Sequence, residues 1–86
     1  MASYKITFKK SVEKDLKGLD RSQVPRILAA IEKLAEDPFP AASRQLVGSH
    51  KTYRLRIGDY RAIYIVDADT ATIEVQIIGH RKEVYR

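Results

Sequence analysis

Apolar and polar positions change period three times along the chain, and each change predicts an element. Tyr4, Ile6 and Phe8 alternate with Lys5, Thr7 and Lys9, which predicts a half-buried first strand. Val12, Leu16 and Leu19 then fall on one helical face, with Ser11 as the expected cap and Gly18 as the expected stop. A second helix is expected after Asp20 or Ser22, with Pro25 tolerated in its opening turn. Its stripe, Val24, Ile27, Leu28, Ile31, Leu34 and Ala35, follows the i, i+3, i+4, i+7 spacing. Asp37-Pro38-Phe39-Pro40 ends it, and a connecting segment runs to about Lys51.

Period two returns in the second half and predicts three strands, Thr52 to Ile57, Tyr60 to Val66 and Thr72 to Ile78. Gly58-Asp59 joins the first two as a type II′ hairpin, and Asp67 to Ala71 makes the next turn. Tyr53, Leu55, Ile57, Tyr60, Ala62 and Tyr64 share the face expected to meet the helices. The predicted class is therefore α+β, one domain over residues 1–86. A strand-helix-helix unit precedes a three-stranded antiparallel meander, and the helices pack on one face of the sheet.

The hairpin raises an energetic question. A two-residue loop places Ile57 opposite Tyr60, Arg56 opposite Arg61 and Leu55 opposite Ala62, with Arg54 two residues along the arginine face. Like charges directly opposed across strands are destabilising. Either the arginines form a solvated face with pairing to Asp59 or Glu83, or they hold an anion.

Charge and composition narrow the choice of partner. The 86 residues carry a formal charge of +5, which favours an acidic partner such as nucleic acid or an acidic protein. Residues 1–42 hold six lysines and two arginines, whereas residues 43–86 hold six arginines and two lysines. Arginine's planar fork grips phosphate oxygens in pairs, so the sheet half is the expected phosphate site. With no cysteine, disulfides, thiolate metal sites and thiol nucleophiles are excluded, and a cytoplasmic location fits. No stretch has the length and apolarity of a membrane span, so no membrane partner is expected.

Candidate chemistry collects at the end of the last strand, in Gly79-His80-Arg81-Lys82-Glu83-Val84-Tyr85-Arg86. Cleavage of RNA through its own 2′-hydroxyl needs charge stabilisation on the phosphorane, a proton acceptor and a proton donor. Arginines suit the first task, His80 the donor and Tyr85 the acceptor, its pKa of about 10 lowered by neighbouring guanidiniums. Each also has a plainer reading, His80 as a hydrogen-bonded surface histidine and Tyr85 as a packing residue. Asp67 and Asp69 read as turn residues rather than metal ligands, and His50 and His80 lack zinc-type spacing, so neither metal nor cofactor is expected.

The run Tyr53-Arg54-Leu55-Arg56-Ile57-Gly58-Asp59-Tyr60-Arg61-Ala62-Ile63-Tyr64 and the terminal Ile78-Gly79-His80-Arg81-Lys82-Glu83-Val84-Tyr85-Arg86 resemble the RelE branch of the RelE/ParE toxin superfamily. The resemblance covers nearly the whole chain. It implies a ribosome-dependent endoribonuclease that cuts mRNA without a metal, neutralised by a cognate antitoxin in a hetero-oligomer. By that resemblance Arg61 and Arg81 stabilise the scissile phosphate, Arg54 and Arg56 bind around the nucleophile, and Tyr85 orients or deprotonates the 2′-hydroxyl. Arg44, Lys51, Lys82 and Arg86 hold RNA phosphates; His80 stands where relatives vary, and its own chemistry makes it the candidate for the acid role. Some relatives carry lysine where this chain has Arg54 and Arg56, and arginine is far harder to deprotonate, so these two are not expected to act as bases. Two other functions share the pattern, a ParE-like inhibitor of DNA gyrase and a non-catalytic basic module.

Overall fold

The computed structural model describes residues 3–80. Strand β1 spans Lys5–Phe8, helix α1 Lys10–Lys17, helix α2 Val24–Glu32, and strands β2 to β5 span Ser43–Gln45, Thr52–Ile57, Tyr60–Asp67 and Thr72–His80. They form a five-stranded sheet in the order β1-β5-β4-β3-β2. The meander β3-β4-β5 is antiparallel as predicted, but β1 joins it parallel to β5, so the sheet is mixed. Helices crossing between β1 and the meander bring the two strands into the same direction.

Both helices lie on one face and form one core with it. Val12, Ile27, Ile31 and Leu34 pack against Leu55, Ile57, Ala62, Tyr64, Val66, Ile73, Val75 and Ile78, all 5% exposed or less. Tyr64 is fully buried, and its hydroxyl donates to the carbonyl of Pro38 at 2.7 Å. That bond satisfies the one polar atom of the largest core side chain and fixes the segment leaving α2.

Several boundaries differ from the sequence pattern. Ser11 lies inside α1; Lys9 holds the cap position, with no side-chain cap bond. Gly18 does end that helix, its N–H bonded to the carbonyls of Lys14 and Asp15. Asp20 does not cap α2 either. Its Oδ1 accepts the backbone N–H and hydroxyl of Ser22 at 3.0 and 2.9 Å in a tight turn before the helix, and Gln23 takes the cap position. Those two bonds hold the Asp20 carboxyl below its ordinary pKa. The end of the predicted second helix tightens into a 3₁₀ turn, Lys33–Ala35.

Two further features place the site. The connecting segment contains β2, an edge strand of three residues that pairs Arg44 with Arg54. In β5, the register against β4 shifts at Ile63/Tyr64, since Ile63 faces Ile77 while Tyr64 faces Val75. Gln76 is therefore an extra residue, a β-bulge that reverses which side chains face the helices. Ile73 and Val75 face them before the bulge; Ile78 does so after it.

Candidate functional site

The hairpin has the register that its two-residue loop dictates: Ile57 opposite Tyr60, Arg56 opposite Arg61, Leu55 opposite Ala62. Gly58 has φ +61°, and Asp59 is not among the residues with positive φ, so only the first central residue is left-handed, as a type II′ turn requires. Alternation then puts Arg54, Arg56 and Arg61 on the sheet face away from the helices. Pairing of Arg44 with Arg54 adds a fourth guanidinium on the same face.

Arg44, Arg54, Arg56 and Arg61 line a cleft of about 230 Å³ whose remaining wall is Ala41 and Ala42. The two alanines matter by their size, because a methyl leaves room in front of the guanidiniums. Ala42 is fixed there by its carbonyl, which accepts the N–H of Arg56 at 3.1 Å. No described carboxylate lines the cleft. Four cations around one hollow repel one another, and a bound anion removes that repulsion.

Arg61 is unlike the other three. It is only 8% exposed, and its Nη1 donates to the carbonyls of Gly58 and Tyr60 at 3.2 and 3.1 Å. The turn thus grips one edge of the guanidinium. Its Nε is buried with no hydrogen-bond partner among the described residues. A buried charged donor is costly to leave without an acceptor.

The predicted residues separate into groups. Arg54, Arg56 and Arg61 come together, and Arg44, expected only to grip phosphates at the margin, belongs to the same cleft. Lys51 lines a different hollow with Phe39, Tyr53 and Asp67. His80 pairs with Tyr60 while Gly79 pairs with Arg61, so His80 shares the face of Tyr60 and Ile78, opposite that of the arginines. The bulge at Gln76 is the reason, and it separates the imidazole from the cleft it was expected to serve. Arg81, Lys82, Tyr85 and Arg86 lie outside the described residues.

His80 instead lines a second pocket of about 290 Å³, with Asp20, Gln23, Arg26, Asp59 and Tyr60, on the helix side of the hairpin tip. The rings of Tyr60 and His80 meet edge to face at 5.8 Å. Arg26 lies so close to the turn that a Cβ built on Gly58 would stand 3.1 to 3.3 Å from three of its guanidinium atoms. Arg26 lies off the apolar stripe of its helix, so periodicity by itself gives it no role. Among the described residues no group of three or more His, Asp or Glu side chains converges as a metal site would, and no helix is long and apolar enough to cross a membrane.

Comparison with known proteins agrees with this architecture. The family model for the ParE toxin of the type II toxin-antitoxin system parDE matches residues 6–85. The putative toxin RelE1 of Methanocaldococcus jannaschii is 34% identical over 86 residues, covering 96% of each chain. Toxin RelG of Mycobacterium tuberculosis is 31% identical, covering 96% of this chain and 97% of its own. Among solved structures, the archaeal RelE-RelB complex from Pyrococcus horikoshii superposes with a TM-score of 0.82 at 29% identity, over 94% of this chain and 98% of that one. The isolated E. coli RelE toxin shares the fold, with a TM-score of 0.79 at 23% identity over 96% of this chain and 92% of that one.

Proposed function

The chain belongs to the RelE-type toxins of the RelE/ParE toxin-antitoxin superfamily, and from that membership we propose that it is a ribosome-dependent endoribonuclease that cuts mRNA and so inhibits translation. The observation that carries the reading is the cleft of Arg44, Arg54, Arg56 and Arg61, with a buried Nε at Arg61 that has no partner among the described residues and no described carboxylate in its lining. In the proposed reaction the 2′-oxygen of one nucleotide bonds to the adjacent phosphorus while the bond from phosphorus to the 5′-oxygen breaks. Negative charge builds on the non-bridging oxygens, and preorganised guanidiniums stabilise it more than they stabilise the starting diester.

Arg61 suits the scissile phosphate best, because the turn carbonyls hold its fork before substrate arrives. Arg54 and Arg56 sit beside it, and Arg44 grips a flanking phosphate. Arg81 and Tyr85 keep the roles that the family resemblance assigns, phosphate stabilisation and handling of the 2′-hydroxyl proton. Lys51, Lys82 and Arg86 extend the RNA contacts. The phase of β5 gives no geometric support to His80 as the acid, since it faces away from the cleft. No metal or cofactor enters the chemistry.

A translating extract tests the proposal. Stoichiometric toxin should cut mRNA held on ribosomes, with 5′ ends mapping within codons, and intact mRNA would overturn it. The matching family model is described as a ParE toxin, which keeps open the ParE-like alternative, inhibition of DNA gyrase. Strong loss of supercoiling with untouched mRNA would replace the first reading with that one.

A cognate antitoxin is the proposed protein partner. Relatives from Pyrococcus horikoshii and Methanococcus jannaschii were solved as RelE-RelB complexes. Against the basic cleft, an acidic antitoxin segment is the complementary shape of charge. Adding the antitoxin should quench cleavage, and a stable complex that still cuts would exclude neutralisation by occlusion of the cleft.

A further inference from the structure

The pocket on the helix side of the hairpin tip has a composition unlike that of the arginine cleft. Tyr60, His80 and Arg26 offer planar surfaces, while Asp20, Asp59 and Gln23 offer hydrogen-bonding edges. Two carboxylates make it a poor phosphate site, and the low pKa of Asp20 keeps one of them ionised. Planar stacking groups beside polar edges are what proteins use to hold an unpaired nucleobase, stacked on an aromatic or guanidinium plane and read along its rim. The space, about 290 Å³, is that of a small-molecule subsite rather than a groove for a protein segment.

Its position relates it to the cleft. Tyr60 and Arg61 are consecutive residues of β4, so alternation sends the phenol to this pocket and the guanidinium to the opposite face. The hairpin turn stands between the two sites, and at Gly58 the space a side chain would fill is taken by the Arg26 guanidinium, a cation on the path of a strand passing over the tip. We propose that this pocket takes one unpaired base of the RNA whose phosphate lies among the arginines, and that it selects bases with an exocyclic amine over uracil. Adenine, guanine and cytosine each present an exocyclic amine from which the Asp20 and Asp59 carboxylates accept hydrogen bonds; uracil offers only its single N3–H, flanked by two carbonyl oxygens that the carboxylates repel. Arg26 is positioned to donate to ring nitrogens and carbonyls of the bound base. The inference rests on the nuclease reading for the identity of the strand, and its test separates the two.

The chain has no tryptophan, so Tyr60→Trp places its single tryptophan in the pocket, where it can be excited selectively over the tyrosines. Titration of the full chain with short oligoadenylate, oligocytidylate and oligouridylate should quench that tryptophan with the first two and bind the third about tenfold more weakly. Anisotropy of labelled oligonucleotides should give the same order for the unsubstituted protein, a check independent of how well tryptophan fits. In Asp20→Asn/Asp59→Asn the preference should shrink to about twofold or less, because amides donate as well as accept. At position 20 the amide oxygen still accepts the bonds from Ser22. Equal affinity of the unsubstituted protein for all three oligonucleotides would overturn the proposal. So would unchanged tryptophan emission when anisotropy reports binding. Selective quenching without mRNA cleavage in the extract would retain the pocket and refute the nuclease, and cleavage with no base preference would do the reverse.

Discussion

At the scale of single residues, Arg61 carries the largest share of the proposed chemistry. It is the one buried arginine of the cleft, and the turn carbonyls hold its guanidinium. Arg61→Ala should lower mRNA cleavage by about 10²- to 10³-fold, the usual cost of removing one preorganised charge-stabilising donor. Arg56 is exposed, so its replacement by alanine should cost about tenfold or less in the same assay. Gly58 is constrained twice, by φ +61° and by the Arg26 guanidinium against it. Gly58→Ala should cost about 1–2 kcal/mol from backbone conformation alone. In Arg26→Ala/Gly58→Ala the crowding is relieved, so chemical denaturation should show a double variant more stable than the sum of the singles. Tyr64 supplies a pH signature. Burial pushes its hydroxyl up to about 12 from the ordinary 10.0. Its raised folded pKa favours the native state below pH 10, and that contribution is lost as pH rises from 10 towards 12. Tyr64→Phe should abolish this alkaline decline, while costing about 1–3 kcal/mol at neutral pH by leaving the Pro38 carbonyl without its donor.

Elements explain how much of this was readable beforehand. The hairpin was fully legible, because a two-residue loop leaves one register available and fixes Arg56 opposite Arg61. The α2 stripe was legible too, since Ile27, Ile31 and Leu34 recur at helical spacing and are all buried. Strand β2 was not, because Ser43-Arg44-Gln45 is too short to display a period, and the membership of Arg44 in the cleft was hidden with it. The facing of His80 was lost to a single residue. Strict alternation from Val75 puts it on the wrong side, and only the adjacent pair Ile77-Ile78 betrays the change of phase. Deleting Gln76 should remove the bulge and restore plain alternation with Ile78 still facing the helices, so a circular dichroism melt should show the fold retained with only a modest change in Tm. Arg81 and Tyr85 stay as the family resemblance assigns them, outside the described residues.

On the scale of the whole molecule, basic and acidic surfaces are sorted by the sheet. One cleft gathers four arginines with no described carboxylate in its lining, while the helix side of the same hairpin mixes Arg26 with Asp20 and Asp59. Binding of single-stranded RNA should therefore weaken steeply with salt, and Arg56→Ala should reduce the slope of log K against log salt by about 0.7, the value for one lost contact. The parallel pairing of β1 with β5 has a consequence in time rather than in space. Thr7 reaches the carbonyl of Ile73 across 66 residues of sequence. The arginine hairpin, by contrast, closes over two residues and can form as soon as it is made. Closure of the sheet waits until β5 has been synthesised, and a contact so distant carries a large loop-closure entropy. A growing chain can thus sample its charged hairpin before β5 has paired, and only that pairing makes the hairpin rigid.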